Sequence, residues 1–282
     1  MGSLATHVSA FAFLFPLGVR RLVCSFSFYL KSPSHYRPKT WYFNEPKWKN
    51  FDVYILLIAL PISAFSEIFW FLTFGGHPVY RFAFFQQAAV LLLFWIIILL
   101  VILRESFDFF VVHENVMFFF SGMVFLMEYM IQVDRDSGLS GHTYDLLGNL
   151  SLVCSASCLI LSLQPIAFFA EVALSCGLVF KGTWILQCGF SLFTSGFMPK
   201  GCQRVSELPS YDKSSIKCEL EEDGLRGMAL IDLLFVGHAI GVMLFSFLLF
   251  GYLSFGQNLR YGSGSTESDA MLMRPLPEFE IE

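Results

Sequence analysis

An all-α, polytopic membrane protein built as a seven-helix transmembrane bundle is the fold class this sequence predicts, on three observations. Hydrophobic residues make up 55% of the chain and charged residues only 15%, with a mean hydropathy of +0.61. A soluble domain keeps about a quarter of its residues charged to cover its surface. The apolar residues fall in runs of roughly 20, the length that crosses about 30 Å of hydrocarbon. None of the runs alternates with the period of a barrel strand, so helices, which satisfy their own backbone, are the spanning form.

The runs predict helices over about 4–30, 51–73, 81–103, 107–133, 143–163, 167–198 and 227–255, forming one domain over 1–256. The first run contains Arg20-Arg21. A signal peptide places its basic residues before the apolar stretch, so the run reads as a retained helix whose arginines snorkel to one interface. Short connections between helices 2 and 6 predict antiparallel neighbours. The segment 257–282 is Gly/Ser-rich, then acidic, and carries Pro275 and Pro277, which predicts a disordered tail.

Positive-inside counting orients the bundle. With the N-terminus outside or in a lumen and the C-terminus cytosolic, ten basic residues fall on the cytosolic side and seven on the other. The formal charge of −5 is small and spread over the loops and tail, so it does not suggest a nucleic-acid footprint. The opening Met-Gly-Ser-Leu-Ala-Thr matches a loose myristoylation pattern; an external N-terminus never meets the cytosolic acyl transferase, so the match reads as incidental. The seven cysteines include no Cys-x-x-Cys pair. Only Cys202 and Cys218 share a polar loop, and a disulfide between them requires that loop to face an oxidising compartment.

Ionisable groups within a span cost a few kcal/mol each and turn to the bundle interior or a wet cavity. The interior candidates are Glu128, Asp145, Lys181, Gln187, Asp232, His238, Gln86 and Gln87, beside Glu67, Glu171 and Asn149. Lys181 falls near the middle of helix 6, too deep to snorkel. Glu171 is ten residues away on the same helix, about 15 Å along the axis, so the partner of Lys181 must come from another helix: Asp232, His238, Glu128 or Asp145. His142, Asp145 and Asn149 share one face at the start of helix 5, where capping and the helix dipole account for Asp145. Gly182 and Gly189, two turns apart, allow a neighbouring helix to approach closely, and Trp184 is assigned to packing.

The helix 6 stretch Lys181-Gly182-Thr183-Trp184, followed by Gln187, Gly189 and Phe190, resembles the sixth-helix motif of the transmembrane protein 45 family. In plants that family is a viral-response group, defined by domain of unknown function 716. The resemblance extends along most of 1–255 through His7, Glu128 and His238. This chain departs from the family at several points. Thr6 precedes His7, Val8-Ser9-Ala10 follows it, Gln86 and Gln87 stand where helix 3 carries histidines, and Val133-Asp134-Arg135-Asp136 follows the acid of helix 4. The chain is similar to a divergent member.

These residues predict a non-enzymatic multi-pass protein acting through protein or lipid partners, in stress or viral response as the resemblance implies. No cofactor and no metal are expected: a zinc hydrolase needs about three histidines around one ion, and only His238 and His113 lie deep in a span. The alternative is a proton-coupled carrier with Glu128, Lys181 and His238 as a buried relay.

Overall fold

The computed structural model of the chain describes residues 4–43, 50–73, 78–107, 112–132, 138–205 and 215–272. The first three residues of the lipidation pattern, the segment 133–136 and the tail beyond 272 lie outside them. Seven helices among the described residues are long and apolar enough to cross a membrane: α1 (Leu4–Lys31), α2 (Phe51–Thr73), α3 (Pro78–Ser106), α4 (Glu114–Gln132), α5 (Leu139–Leu163), α6 (Phe168–Phe193) and α7 (Glu221–Leu272). The protein is an integral multi-pass bundle.

Several boundaries move for local reasons. Helix α5 begins at Leu139, after Gly138 at φ 124°, a conformation that glycine adopts without strain. That is four residues before the expected start, so Asp145 sits in the second turn and neither His142 nor Thr143 opens the helix. The capping role expected of Asp145 is thereby corrected. Helix α6 ends at Phe193, where Thr194 is extended and a short 3₁₀ turn, Ser195–Phe197, follows. Helix α7 begins on Glu221, Glu222 and Asp223; three acids in the first turn suit the positive end of the dipole. It continues to Leu272, past the expected end at 255.

Between α6 and α7 the chain forms an antiparallel hairpin, β1 (Cys202–Val205) and β2 (Ser215–Cys218), with Cys202 opposite Cys218 and the two joined by a disulfide. The sequence left this pairing open.

The centre of the bundle is α6, packed on α1 and α5, while α4 packs on α5, α3 on α4, and α2 on α3. Glycine sets the α1–α6 seam. A Cβ on Gly18 would lie 2.7 Å from the Val179 nitrogen, one on Gly182 2.8 Å from the Phe15 nitrogen, and one on Gly189 2.7 Å from the His7 Cβ. The contacts run in opposite order along the two helices, so α1 and α6 are antiparallel. His7 and the hairpin share one end of the bundle, the hairpin end. Arg21, Glu171 and the segment after α1 share the other, the loop end.

Candidate functional site

Two buried ion pairs and one elongated cavity define the candidate site. Burial first follows from small residues on α6: a Cβ on Gly177 would lie 2.9 Å from the Cys154 sulfur of α5 and one on Gly182 2.8 Å from the Phe15 nitrogen of α1, so both neighbours close on α6. Lys181 is therefore only 3% exposed. Its ammonium pairs with Glu128 of α4 and donates to the Ser151 hydroxyl at 2.9 Å, with the Phe125 ring 5.3 Å away. Of the four partners open to Lys181 in the sequence, Glu128 is the one it meets.

The second pair was not legible as a pair. Arg21 does not snorkel; it is buried and pairs at 2.8 Å with Glu171 of α6, whose exposure is 0%. The reason is the segment after α1, which folds back under the bundle and replaces water around the guanidinium. Arg21 donates to the carbonyls of Thr40 at 2.7 Å and Lys39 at 3.0 Å, while the Tyr42 hydroxyl donates to Glu171 at 3.3 Å. Burial, reinforced by the Glu171 carboxylate, pushes the Tyr42 phenol far above its ordinary range, so it stays a donor. Tyr36, beside it, is pushed up by the same two causes. The segment is tied down further by Arg20, which donates to the Tyr42 carbonyl at 2.6 Å and pairs with Asp52. Glu114 accepts from the Thr40 backbone at 2.8 Å and pairs with Arg104. The signal that would have found Arg21 is the α1–α6 glycine register, which brings its helical face to Glu171.

Other candidates take different places. Asp232 is exposed and pairs with His142 at 2.7 Å near the hairpin end. Gln86 and Asn149 also lie on exposed faces, so the interior placement expected of Asp232 and Gln86 is corrected. His238 bonds the Leu234 carbonyl of its own helix at 2.8 Å, and its ring stands 5.6 Å from Trp184. Trp184, 1% exposed, lies against it on α6 and donates to the Thr143 carbonyl at 3.3 Å. Gln187 donates to Ser191 one turn on at 3.0 Å. Asp145 is half-buried. Among the described residues no three His, Cys, Asp or Glu side chains gather as metal ligands.

Lys181, Glu128 and Gln87 instead line a cavity of about 360 Å³ between the α2–α3 pair and helices α1, α4, α5 and α6. Its walls are mainly apolar. Arg21, Thr40 and Trp41 close the loop end, and His7, Tyr144 and Gln132 the hairpin end; the His7 ring and the Tyr144 hydroxyl are bonded at 3.2 Å. The fourteen residues from His7 to Arg21 put the length near ~21 Å. Ser151 is not among the lining residues, so its contact with Lys181 does not present a nucleophile to the cavity.

Comparison with curated proteins returns no match. A family model described as "Family of unknown function (DUF716)" matches residues 111–251, half of the chain, spanning α4 to α7 and both members of the Lys181–Glu128 pair. On that match the chain belongs to the DUF716 family of unknown function.

Proposed function

We propose that this protein is a non-enzymatic, multi-pass membrane protein that acts by holding a membrane-soluble, lipid-like molecule in the cavity between α2–α3 and the α1/α4/α5/α6 core. The observation that carries the reading is a long, mainly apolar chamber in which Arg21 is paired with Glu171 and Lys181 with Glu128. Ligand pockets are concave and largely apolar, with a few polar groups to fix orientation. The hydroxyl in contact with Lys181, that of Ser151, is not among the residues that line the chamber.

The N-terminus and the hairpin are placed outside or in a lumen. The basic-residue bias and the Cys202–Cys218 disulfide both support that orientation. The resemblance to the transmembrane protein 45 family supports placing the chain as a divergent member of it, with a role in stress or viral response in a plant. The carrier alternative loses support from the placement of His238, which bonds its own helix and lies outside the Lys181–Glu128 contact.

Native mass spectrometry of the full chain, purified from its own membrane, tests the proposal. A retained small molecule that is lost in Leu91→Trp, a substitution that fills the chamber, is the expected result. An unliganded wild-type protein would defeat it, and so would a ligand indifferent to Leu91→Trp.

A further inference from the structure

We propose that the outer face of the segment after α1 is a docking surface for anionic phospholipid headgroups, with Arg37 and Lys39 as its cations. The same segment closes the loop end of the chamber with Thr40 and Trp41, but the proposal goes beyond the chamber reading and does not depend on an occupant there.

The segment has two faces. After the 3₁₀ turn Pro33–His35, Tyr36, Pro38, Thr40 and Tyr42 are buried, while Arg37 and Lys39 between them are exposed. A period of two is that of an extended chain, whose alternate side chains point to opposite sides. The anchors all lie on the inward side chains or on the backbone. Tyr36 stands edge-on to Phe168 of α6 at 5.4 Å, the Thr40 nitrogen donates to Glu114 at 2.8 Å, and the carbonyls of Lys39, Thr40 and Tyr42 accept from Arg21 and Arg20. Arg37 and Lys39 are thus presented outward from a backbone that is already fixed, about 6.6 Å apart along the chain. A headgroup that carries more than one phosphate engages both at once, and the ordering cost of the backbone is met before it arrives.

Charge decides the sign of the partner. Three other cations at the loop end are matched within the fold, Arg20 by Asp52, Arg21 by Glu171 and Arg104 by Glu114. Arg37, Lys39 and the exposed Lys31 at the end of α1 form no ion pair among the described residues. Over residues 31–50 the sequence sets five basic residues against one acid, Glu45. Position decides that the anion is a lipid. Ile166 and Phe169, at the turn from α5 to α6, are 73% and 85% exposed, as side chains that face hydrocarbon are. Phe169 packs on Phe168 at 5.8 Å, the ring that Tyr36 rests against, so the neighbour of Arg37 in the chain is one ring away from the lipid-facing edge. Cations held at that edge act within a Debye length of the bilayer surface, and the loop end lies on the side proposed above to be cytosolic, where the leaflet carries anionic lipid.

The test titrates the full chain in detergent micelles with short-chain phosphatidylinositol bisphosphate and short-chain phosphatidylcholine, reading bound lipid by native mass spectrometry and its place by hydrogen exchange. In micelles both ends of the bundle are accessible, so the outcome is independent of orientation. The bisphosphate lipid should bind at least ~10-fold more tightly than phosphatidylcholine and slow exchange in residues 32–43. Each basic residue near an anionic surface is worth on the order of 5-fold, so Arg37→Gln with Lys39→Gln should weaken the bisphosphate lipid about 20-fold and leave thermal unfolding unchanged, because neither side chain anchors the segment. Equal binding of phosphatidylcholine, or a double variant that binds as the wild type does, overturns the proposal. Free inositol trisphosphate that binds as tightly as the lipid assigns the cations to a soluble phosphate instead, and an acidic peptide that displaces the lipid at equal concentration assigns them to a protein; either overturns the lipid. Leu91→Trp, which fills the chamber, should leave headgroup binding intact. Loss of binding in that variant would put the lipid inside the chamber, overturning the outer surface while the chamber reading stands.

Discussion

The two buried ion pairs of this bundle solve the same problem with different cations. Lys181 in mid-span meets one carboxylate and one hydroxyl, both from side chains of neighbouring helices. Arg21 at the loop end meets a carboxylate and two backbone carbonyls from a segment that folds back over it. A compact ammonium suits the first setting; a planar fork with five donors suits the second, where several acceptors converge. The difference teaches that α4, α5 and α6 are joined through Lys181, whereas Arg21 joins α1 and α6 to the segment that closes the cavity. One pair holds helices together, and the other holds a lid of backbone in place.

Arg21→Met should break that contrast most severely. It leaves Glu171 fully buried with only the Tyr42 hydroxyl and strips the Thr40 and Lys39 carbonyls of their donor. Removing one member of a buried pair costs about 3–5 kcal/mol, and the stranded carbonyls place this variant at the upper end. Unfolding of the purified protein in mixed detergent measures it, and new proteolysis within residues 32–43 should accompany the loss.

Lys181→Met should cost about 3 kcal/mol, because Glu128 retains only Gln132 at 3.3 Å and some exposure. The same unfolding assay checks it, with residues 32–43 still protected. Adding Glu128→Leu should recover most of the loss, since replacing a buried pair by apolar side chains is often neutral. A double variant no better than the single would mean that Lys181 does more than neutralise Glu128.

Gly18→Ala should cost about 2 kcal/mol, the usual range for overpacking. The clash is with backbone at Val179, which cannot swing aside. Because Gly18 is one turn from Arg21, residues 32–43 should loosen while the Lys181–Glu128 contact holds, a distinction that hydrogen exchange reads directly.

Ser151→Ala is the mildest test. It removes one donor–acceptor contact to Lys181 and should cost about 1 kcal/mol in thermal unfolding. A loss as large as that of Lys181→Met would show the hydroxyl to be an equal partner in the pair.

Much of the architecture was legible before the structure, and the limits are physical. Apolar run length sets the number of spans because the bilayer thickness is fixed, so α2 appears with the boundaries read for it. Helix ends depend on local chemistry that run length does not register: the positive φ of Gly138 starts α5 early, and three acids start α7 before its apolar run. The demand that Lys181 find a partner was readable because a mid-span ammonium cannot stay unpaired. Which partner it finds depends on how the helices are rotated about their axes, and composition does not encode that angle. Arg21 was misassigned for a related reason. Beside a polar loop an arginine reaches water by default, and only the fold-back of residues 32–43 removes that water. The cavity itself was invisible, since it arises where α1 and α2 fail to pack, and an unmade contact leaves no pattern in either helix.

A cryo-EM map of the full chain in nanodiscs assembled from its native membrane tests the central claim most directly. The account predicts elongated density between Arg21 and His7, bounded by α2 and α3. A chamber that is empty, or closed by α2 settling onto α1, would contradict it.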